Sequence, residues 1–199
     1  RVLRHQVCES IPEFADGCFS DLEKAIAFAP QVAVVANPAT RHIPIAIGLA
    51  QAGAHLLVEK PLADTAEVVS QLLEICRAKK TVLMTAYNLR FLPSLERFRA
   101  LLMEGLIGKV LSVRCEIGQY LPSWRPGTDY RQGVSARREL GGGALLELSH
   151  EIDYLRWIFG EIDWVKAALL HQSDLEIDVE DAAHLILGFE MDGEGRQLV

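Results

Sequence analysis

The chain has 199 residues, half of them hydrophobic, which is enough apolar mass for one domain or two small ones. Its formal net charge is −7 with a pI near 5.4, so it lacks the positive field that holds phosphate backbones, and nucleic acid is excluded as a general partner. No apolar run approaches the ~20 residues needed to span a bilayer, and the opening Arg-Val-Leu-Arg-His predicts neither a membrane anchor nor a secretory leader.

Cys8, Cys18, Cys76 and Cys115 are scattered without a Cys-x-x-Cys pair. That pattern predicts isolated structural thiols in a reducing cytoplasm, with neither a zinc site nor a disulfide framework. The chain starts without Met and closes on Arg196-Gln197-Leu198-Val199, which reads as the opening of a strand. It is therefore read as a piece of a longer protein.

In chain order, Ser20-Asp21-Leu22-Glu23 is a capping box and predicts a helix over 21–29. Residues 31–36 (QVAVVA) form a continuous apolar run, the pattern of a strand buried on both faces. Asn37-Pro38 breaks that run, Thr40 caps a helix to Ala52, and Gly53 stops it. A second buried strand is predicted over 54–58. The Asp64 to Glu67 pattern opens a helix to Lys79, with Val68, Leu72, Ile75 and Cys76 inward. A third strand covers 81–85. Strands alternating with helices predict βαβ units and a parallel sheet. Right-handed crossovers then gather Asn37-Pro38, Glu59-Lys60-Pro61 and Tyr87-Asn88 at one edge, where open α/β sheets bind ligands. A lysine at the end of a buried strand has no packing reason to be there; an exposed strand-end lysine is the plain alternative, and for Asn37-Pro38 a simple turn.

The pattern changes after Asn88. Pro93 suits the first position of a helix running to Glu104, Gly105 and Gly108 bracket a turn, and residues 109–120 alternate like a half-buried strand. A polar loop over 121–138 carries Arg125, Arg131, Arg137 and Arg138, at least two of them read as solvated. Gly141-Gly142-Gly143 opens a helix to Phe159; strands over 163–171 and 182–190 follow, then a turn at Asp192-Gly193. Long strands with few helices predict an antiparallel open sheet. The expected fold is thus α/β plus α+β, with a parallel βαβ domain at 1–90 and a second domain at 91–199.

On a helical wheel, Leu145, Leu148, Ile152, Leu155 and Phe159 make one stripe, and Glu147, His150, Tyr154 and Trp157 another roughly opposite. An acid, an imidazole, a phenol and an indole on one face suit a polar cleft; an ordinary surface pair of Glu147 with His150 is the alternative. The triple glycine allows close approach of a backbone or a ligand. His42, His55, His171 and His184 read as structural or surface residues, and no histidine pair has metal-ligand spacing, so no metal is expected.

Taken in order, Asn37-Pro38-x-x-x-His42, Ala52-Gly53-x-His55-x-x-x-Glu59-Lys60-Pro61, Asn88-x-Arg90-Phe91 and Gly141-Gly142-Gly143-x-Leu145 with His150-x-x-Asp153 resemble the Gfo/Idh/MocA oxidoreductases. The resemblance implies a partial NAD(P)-binding Rossmann domain at 1–90 and a second domain at 91–199 with an open β-sheet, NAD or NADP as cofactor, a sugar, nucleotide-sugar or polyol substrate, and a homo-oligomer formed through the second-domain sheet. It implies that Lys60 is the site lysine and His150 the general acid/base. Asn37, Pro38, His42 and Glu59 would line the cofactor cleft with Lys60, and Asn88 would lie near the nicotinamide or substrate. Trp124-Arg125 matches a pair that meets the cofactor in some members. The family's glycine-rich loop and acidic ribose-binding residue are not in this sequence, so NAD and NADP are not distinguished and the chain alone should turn over little. The family's Asp four residues before the histidine is replaced here by Glu147, three residues before it. Two other readings on the same fold are a non-catalytic NAD-responsive regulator or sugar-binding module, and glycoside cleavage through transient oxidation.

Overall fold

The computed structural model describes residues 2–3, 13 and 15–189. The chain divides into two compact units, Arg1–Ala86 and Tyr87–Val199.

In the first unit, β1 (Val2–Leu3) pairs in parallel with β2 (Cys18–Phe19). Cys18 is disulfide-bonded, whereas the scattered cysteines predict isolated thiols; Cys76 is a buried free thiol as predicted, and Cys115 is free and half-buried. Helix α1 (Leu22–Ala27) is capped by Asp21, whose carboxylate accepts from the Glu23 N–H at 2.7 Å. The cap therefore lies one residue after the Ser20 of the expected box. Three strands, β3 (Val32–Val35), β4 (His55–Val58) and β5 (Leu83–Thr85), form a parallel sheet in that order. Between them run α2 (His42–Gln51) and α3 (Val69–Lys79). Neither helix starts where its side-chain pattern predicts. A short 3₁₀ turn at Ala39–Arg41 leads into α2, and α3 begins at Val69, well past Asp64, without a side-chain cap. Both are held by packing instead, consistent with tertiary burial dominating helix stability.

The core of this unit lies on one face of the sheet. Val35, Leu56 and Val58 meet Ile43, Ala46, Leu49 and Ala50 of α2 and Leu72 and Cys76 of α3. The register puts Val32 and Val34 beside His55 and Leu57 on the opposite face. There Val32, Val34, Val82 and Met84 are exposed. The expectation of strands buried on both faces is corrected here: among the described residues only one face is covered.

In the second unit a 3₁₀ turn (Asn88–Phe91) leads into α4 (Pro93–Met103), with Pro93 at the helix start as predicted. Residues 109–120 form no strand, against expectation. Their alternation finds no partner strand among the described residues, and Leu111, Val113, Ile117 and Tyr120 stay exposed. Alternating hydrophobicity is a pattern for a half-buried surface; without a neighbour it yields no ladder. A short α5 (Leu121–Trp124) and three 3₁₀ turns precede α6 (Ala144–Glu147) and α7 (Ser149–Phe159). The single helix expected over this stretch is thus two, broken at Leu148, which lies outside the helical region at φ −100°, ψ 26°. Strands β6 (Ile162–Leu170) and β7 (Ala182–Phe189) then pair antiparallel, with a register shift near Asp163. Phe159 packs on Phe189, closing α7 onto this hairpin. The expected turn at Asp192-Gly193 and the strand opening over 196–199 lie outside the described residues.

Candidate active site

Parallel pairing sets the carboxyl ends of β3, β4 and β5 along one edge, because every strand runs the same way. The chain leaves β3 into Asn37-Pro38 and β4 into Glu59-Lys60-Pro61. Glu59 N–H donates to the Val35 carbonyl at 2.8 Å, and Ala86 N–H donates to the Val58 carbonyl at 2.8 Å, so both exits are pinned to the neighbouring strand. Asn37, Pro38 and Lys60 are half-buried and Glu59 is exposed; Glu59 turns its carboxylate back to accept from the Lys60 N–H at 3.2 Å.

His42 starts α2 beneath these loops. Its ring is buried, at 1% exposure. Nδ1 stands 2.9 Å from the Pro61 carbonyl oxygen and Nε2 2.6 Å from the Asn37 carbonyl oxygen. A neutral ring donates to one of these at a time and an imidazolium to both. Either way the side chain ties the loop after β3 to the loop after β4 from beneath. The ring is thus a staple between the two loops, in keeping with the reading of His42 as a structural histidine.

In the second unit His150 opens α7 and is half-buried. The Tyr87 ring meets its imidazole edge-on, with centroids 5.7 Å apart and planes at 80°. Asn88, exposed, starts the turn that follows Tyr87. In that turn Arg90 forms a two-pronged ion pair with Asp153: Nε donates to Oδ2 at 2.8 Å and Nη2 to Oδ1 at 2.7 Å. Hydrogen bonding to Asp153 raises the Arg90 guanidinium above its ordinary value, against the opposing effect of burial.

The break at Leu148 puts Glu147 at the end of α6 and His150 in the first turn of α7, so a single continuous wheel does not describe the two. Glu147 ends α6 and lines an open cavity of about 1180 Å³ with Leu148, Glu151, Cys115 and His184; His150 is not among its lining residues. Tyr154, expected on the same face as His150, places its hydroxyl 2.9 Å from the Cys115 sulfur, and burial with this contact pushes the phenol far above its ordinary range. Trp157 carries the Arg99 guanidinium over its ring. Trp124 and Arg125 line a smaller cavity of about 430 Å³ with Asp129, Tyr130 and Gln132. Of the loop arginines, Arg131 pairs with Asp129 and Glu176, while Arg138 donates to the Asp178 carbonyl.

The triple glycine serves packing. A Cβ on Gly142 would overlap the Val134 carbonyl oxygen, and one on Gly143, at φ 110°, would overlap the Glu180 carboxylate. Glu180 then caps α6: its carbonyl accepts from Ala144 N–H at 3.0 Å and its Oε1 from Leu145 N–H at 3.1 Å. Glu180 is not singled out by sequence reasoning, and Tyr87 enters it only as part of the Tyr87-Asn88 edge segment, with no role of its own. Tyr87 is foreshadowed by its position just before Asn88; Glu180 has no local signal, because its partner lies 35 residues away in the chain. Among the described residues no group of three or more His, Cys, Asp or Glu converges as metal ligands, and no helix is long and apolar enough to cross a membrane.

Two sequence profiles match the chain. That of the oxidoreductase family with an NAD-binding Rossmann fold covers residues 4–87, and that of the GFO/IDH/MocA C-terminal domain covers residues 95–196. The chain belongs to the GFO/IDH/MocA oxidoreductase family. Levoglucosan dehydrogenase of Pseudarthrobacter phenanthrenivorans is 37% identical over 139 residues, 68% of this chain and 34% of that protein. The rhizopine catabolism protein MocA of Rhizobium meliloti is 30% identical over 129 residues, 64% of this chain and 38% of its own length. A solved levoglucosan dehydrogenase in complex with NADH and levoglucosan superposes with a TM-score of 0.73 at 31% identity, covering 92% of this chain and 50% of that one. The chain thus spans 34% and 38% of these two curated relatives and half of the solved levoglucosan dehydrogenase.

Proposed function

We propose that the protein is an NAD(P)-dependent dehydrogenase acting on a carbinol of a sugar, nucleotide sugar or polyol, with a cofactor domain drawn from the first unit and a substrate domain from the second. The observation that carries this reading is the sheet edge itself. Asn37-Pro38 and Glu59-Lys60-Pro61 leave adjacent parallel strands at their carboxyl ends and are joined beneath by the buried His42 ring. Levoglucosan dehydrogenase supports the substrate class. The residue types at the edge suit a dinucleotide, with Asn37, Pro38 and Lys60 half-buried and Glu59 exposed. With Asn88 they would hold the cofactor, and Trp124 and Arg125 would add contacts from their own loop.

The cofactor supplies the hydride acceptor. The protein's own groups handle the proton. In oxidation His150 accepts the hydroxyl proton of the substrate, and Lys60 donates a hydrogen bond to the same oxygen, stabilising the charge that develops there. Glu147 is assigned the orienting of one of these two, tested by Glu147→Gln. In reduction the proton returns from His150 to the nascent alkoxide.

The protein is further proposed to be cytoplasmic and to assemble through the β6–β7 sheet, which exposes Trp164, Val165, Leu169 and Ile186. Mixing the intact protein with NAD or NADP and a panel of sugars, anhydrosugars first, tests the activity. Growth of the reduced-nicotinamide absorbance band is the expected result. Saturable dinucleotide and sugar binding with no absorbance change across the panel favours the regulator reading instead, which the substitution of Glu147 for the usual Asp also favours.

A further inference from the structure

We infer that Arg90 and Asp153 are positioning residues that hold the His150 imidazole in register with the Asn88 turn. The inference rests on the proposed function and names how that site is held together. Arg90 belongs to the 3₁₀ turn that begins at Asn88, and Asp153 lies one turn of α7 beyond His150. The pair therefore bridges the two segments of this unit that carry assigned groups.

The geometry is that of a fork on a fork. Both guanidinium donors meet both carboxylate oxygens at 2.8 and 2.7 Å, which fixes direction as well as distance. The Asp153 side chain is only 10% exposed and Arg90 37%, so the carboxylate has little water to fall back on. A charge so buried is strongly tied to its partner, because losing it leaves the charge uncompensated. The second link is Tyr87, whose ring stands T-shaped to the imidazole of His150 with centroids 5.7 Å apart. Tyr87 directly precedes the turn that Arg90 anchors. Moving the turn therefore moves the wall against which the imidazole rests. Hydride and proton transfer depend on near-attack geometry, and a displacement of about 1 Å costs up to ~10²-fold in rate.

A lysine at position 90 keeps the charge but not the fork. In the intact protein, Arg90→Lys and Asp153→Asn are compared with the unsubstituted protein by two readouts. One is the ¹H–¹³C signal of the His150 imidazole, assigned by its loss in His150→Asn. The other is steady-state turnover. Displaced imidazole signals, a fall in kcat of about ten-fold or more and a KM for the dinucleotide within about two-fold are expected. A purely structural pair would lower melting temperature without splitting kcat from KM. Imidazole signals that do not move in either variant overturn the inference, and so do displaced signals with unchanged kcat. Asp153→Asn keeps the side-chain shape and carries the test if Arg90→Lys fails to fold. Full activity in His150→Asn sinks the proposed function instead, while the imidazole signals of the other two variants still decide whether the pair holds the ring.

Discussion

Replacing His42 with Ala removes a side chain that spans the two site loops of the first unit. The ring is 1% exposed and faces two backbone carbonyls, those of Asn37 and Pro61, at 2.6 and 2.9 Å. A buried acceptor left without its donor costs about 1–3 kcal/mol, and the missing ring leaves a void besides. Water reaching the half-buried Asn37 loop would recover part of this, so the expected destabilisation is about 2–4 kcal/mol. Urea unfolding of the intact protein, followed by a probe in the first unit, measures it as a lower midpoint at unchanged slope. Amide exchange supplies the local check: the Glu59 N–H, which donates to Val35, should lose protection in the variant. His42→Gln, which can donate to one carbonyl, should recover part of the loss. A midpoint shift worth under ~0.5 kcal/mol, with Glu59 still protected, would refute the staple.

Four further outcomes follow from the same geometry. His150→Asn should lower turnover by ~10²-fold or more while dinucleotide binding persists, read by kcat and by a binding titration; normal turnover removes the imidazole from the chemistry. Lys60→Met should slow the chemical step, and an unaltered single-turnover rate would take the amine out of the site. Burial pushes the Asp181 carboxyl up, but hydrogen bonds from the Ser173 hydroxyl and from the Gln172 and Ser173 N–H groups prevail and hold it down at about 2. Its folded value is below the unfolded one, so its contribution is present above ~4 and lost as pH falls toward 2; Asp181→Ala should melt lower at pH 7, with the gap closing in acid, and a gap constant with pH would contradict this. Gly142→Ala should prevent correct folding of the second unit, because its Cβ overlaps the Val134 carbonyl oxygen; a native-like near-UV spectrum would show that the backbone yields.

The parallel sheet was legible because three short apolar runs separated by helix-length segments admit few other arrangements. The carboxyl-edge loops followed from it without any side-chain information. The errors have local causes. The Asp64 to Glu67 capping pattern lost to packing, which starts α3 at Val69. Wheel counting through Leu148 assumes one unbroken helix, whereas Glu147 and His150 belong to two helices separated by the break there. Residues 109–120 carry a strand pattern that finds no partner among the described residues. The structural reading of His42 fits its burial, but the two carbonyls that it meets lie 5 and 19 residues away in the chain, and no spacing encodes them.

The open face of the β3–β4–β5 sheet has a practical consequence. Val32, Val34, Val82 and Met84 form an oily surface that water covers at a cost. Any preparation in which that surface stays bare should bind fluorescent dyes such as ANS, stick to hydrophobic resins and clump as concentration rises. Mild detergent or a lysine at position 34 would keep it dispersed, and light scattering during purification is the first place the difference would show.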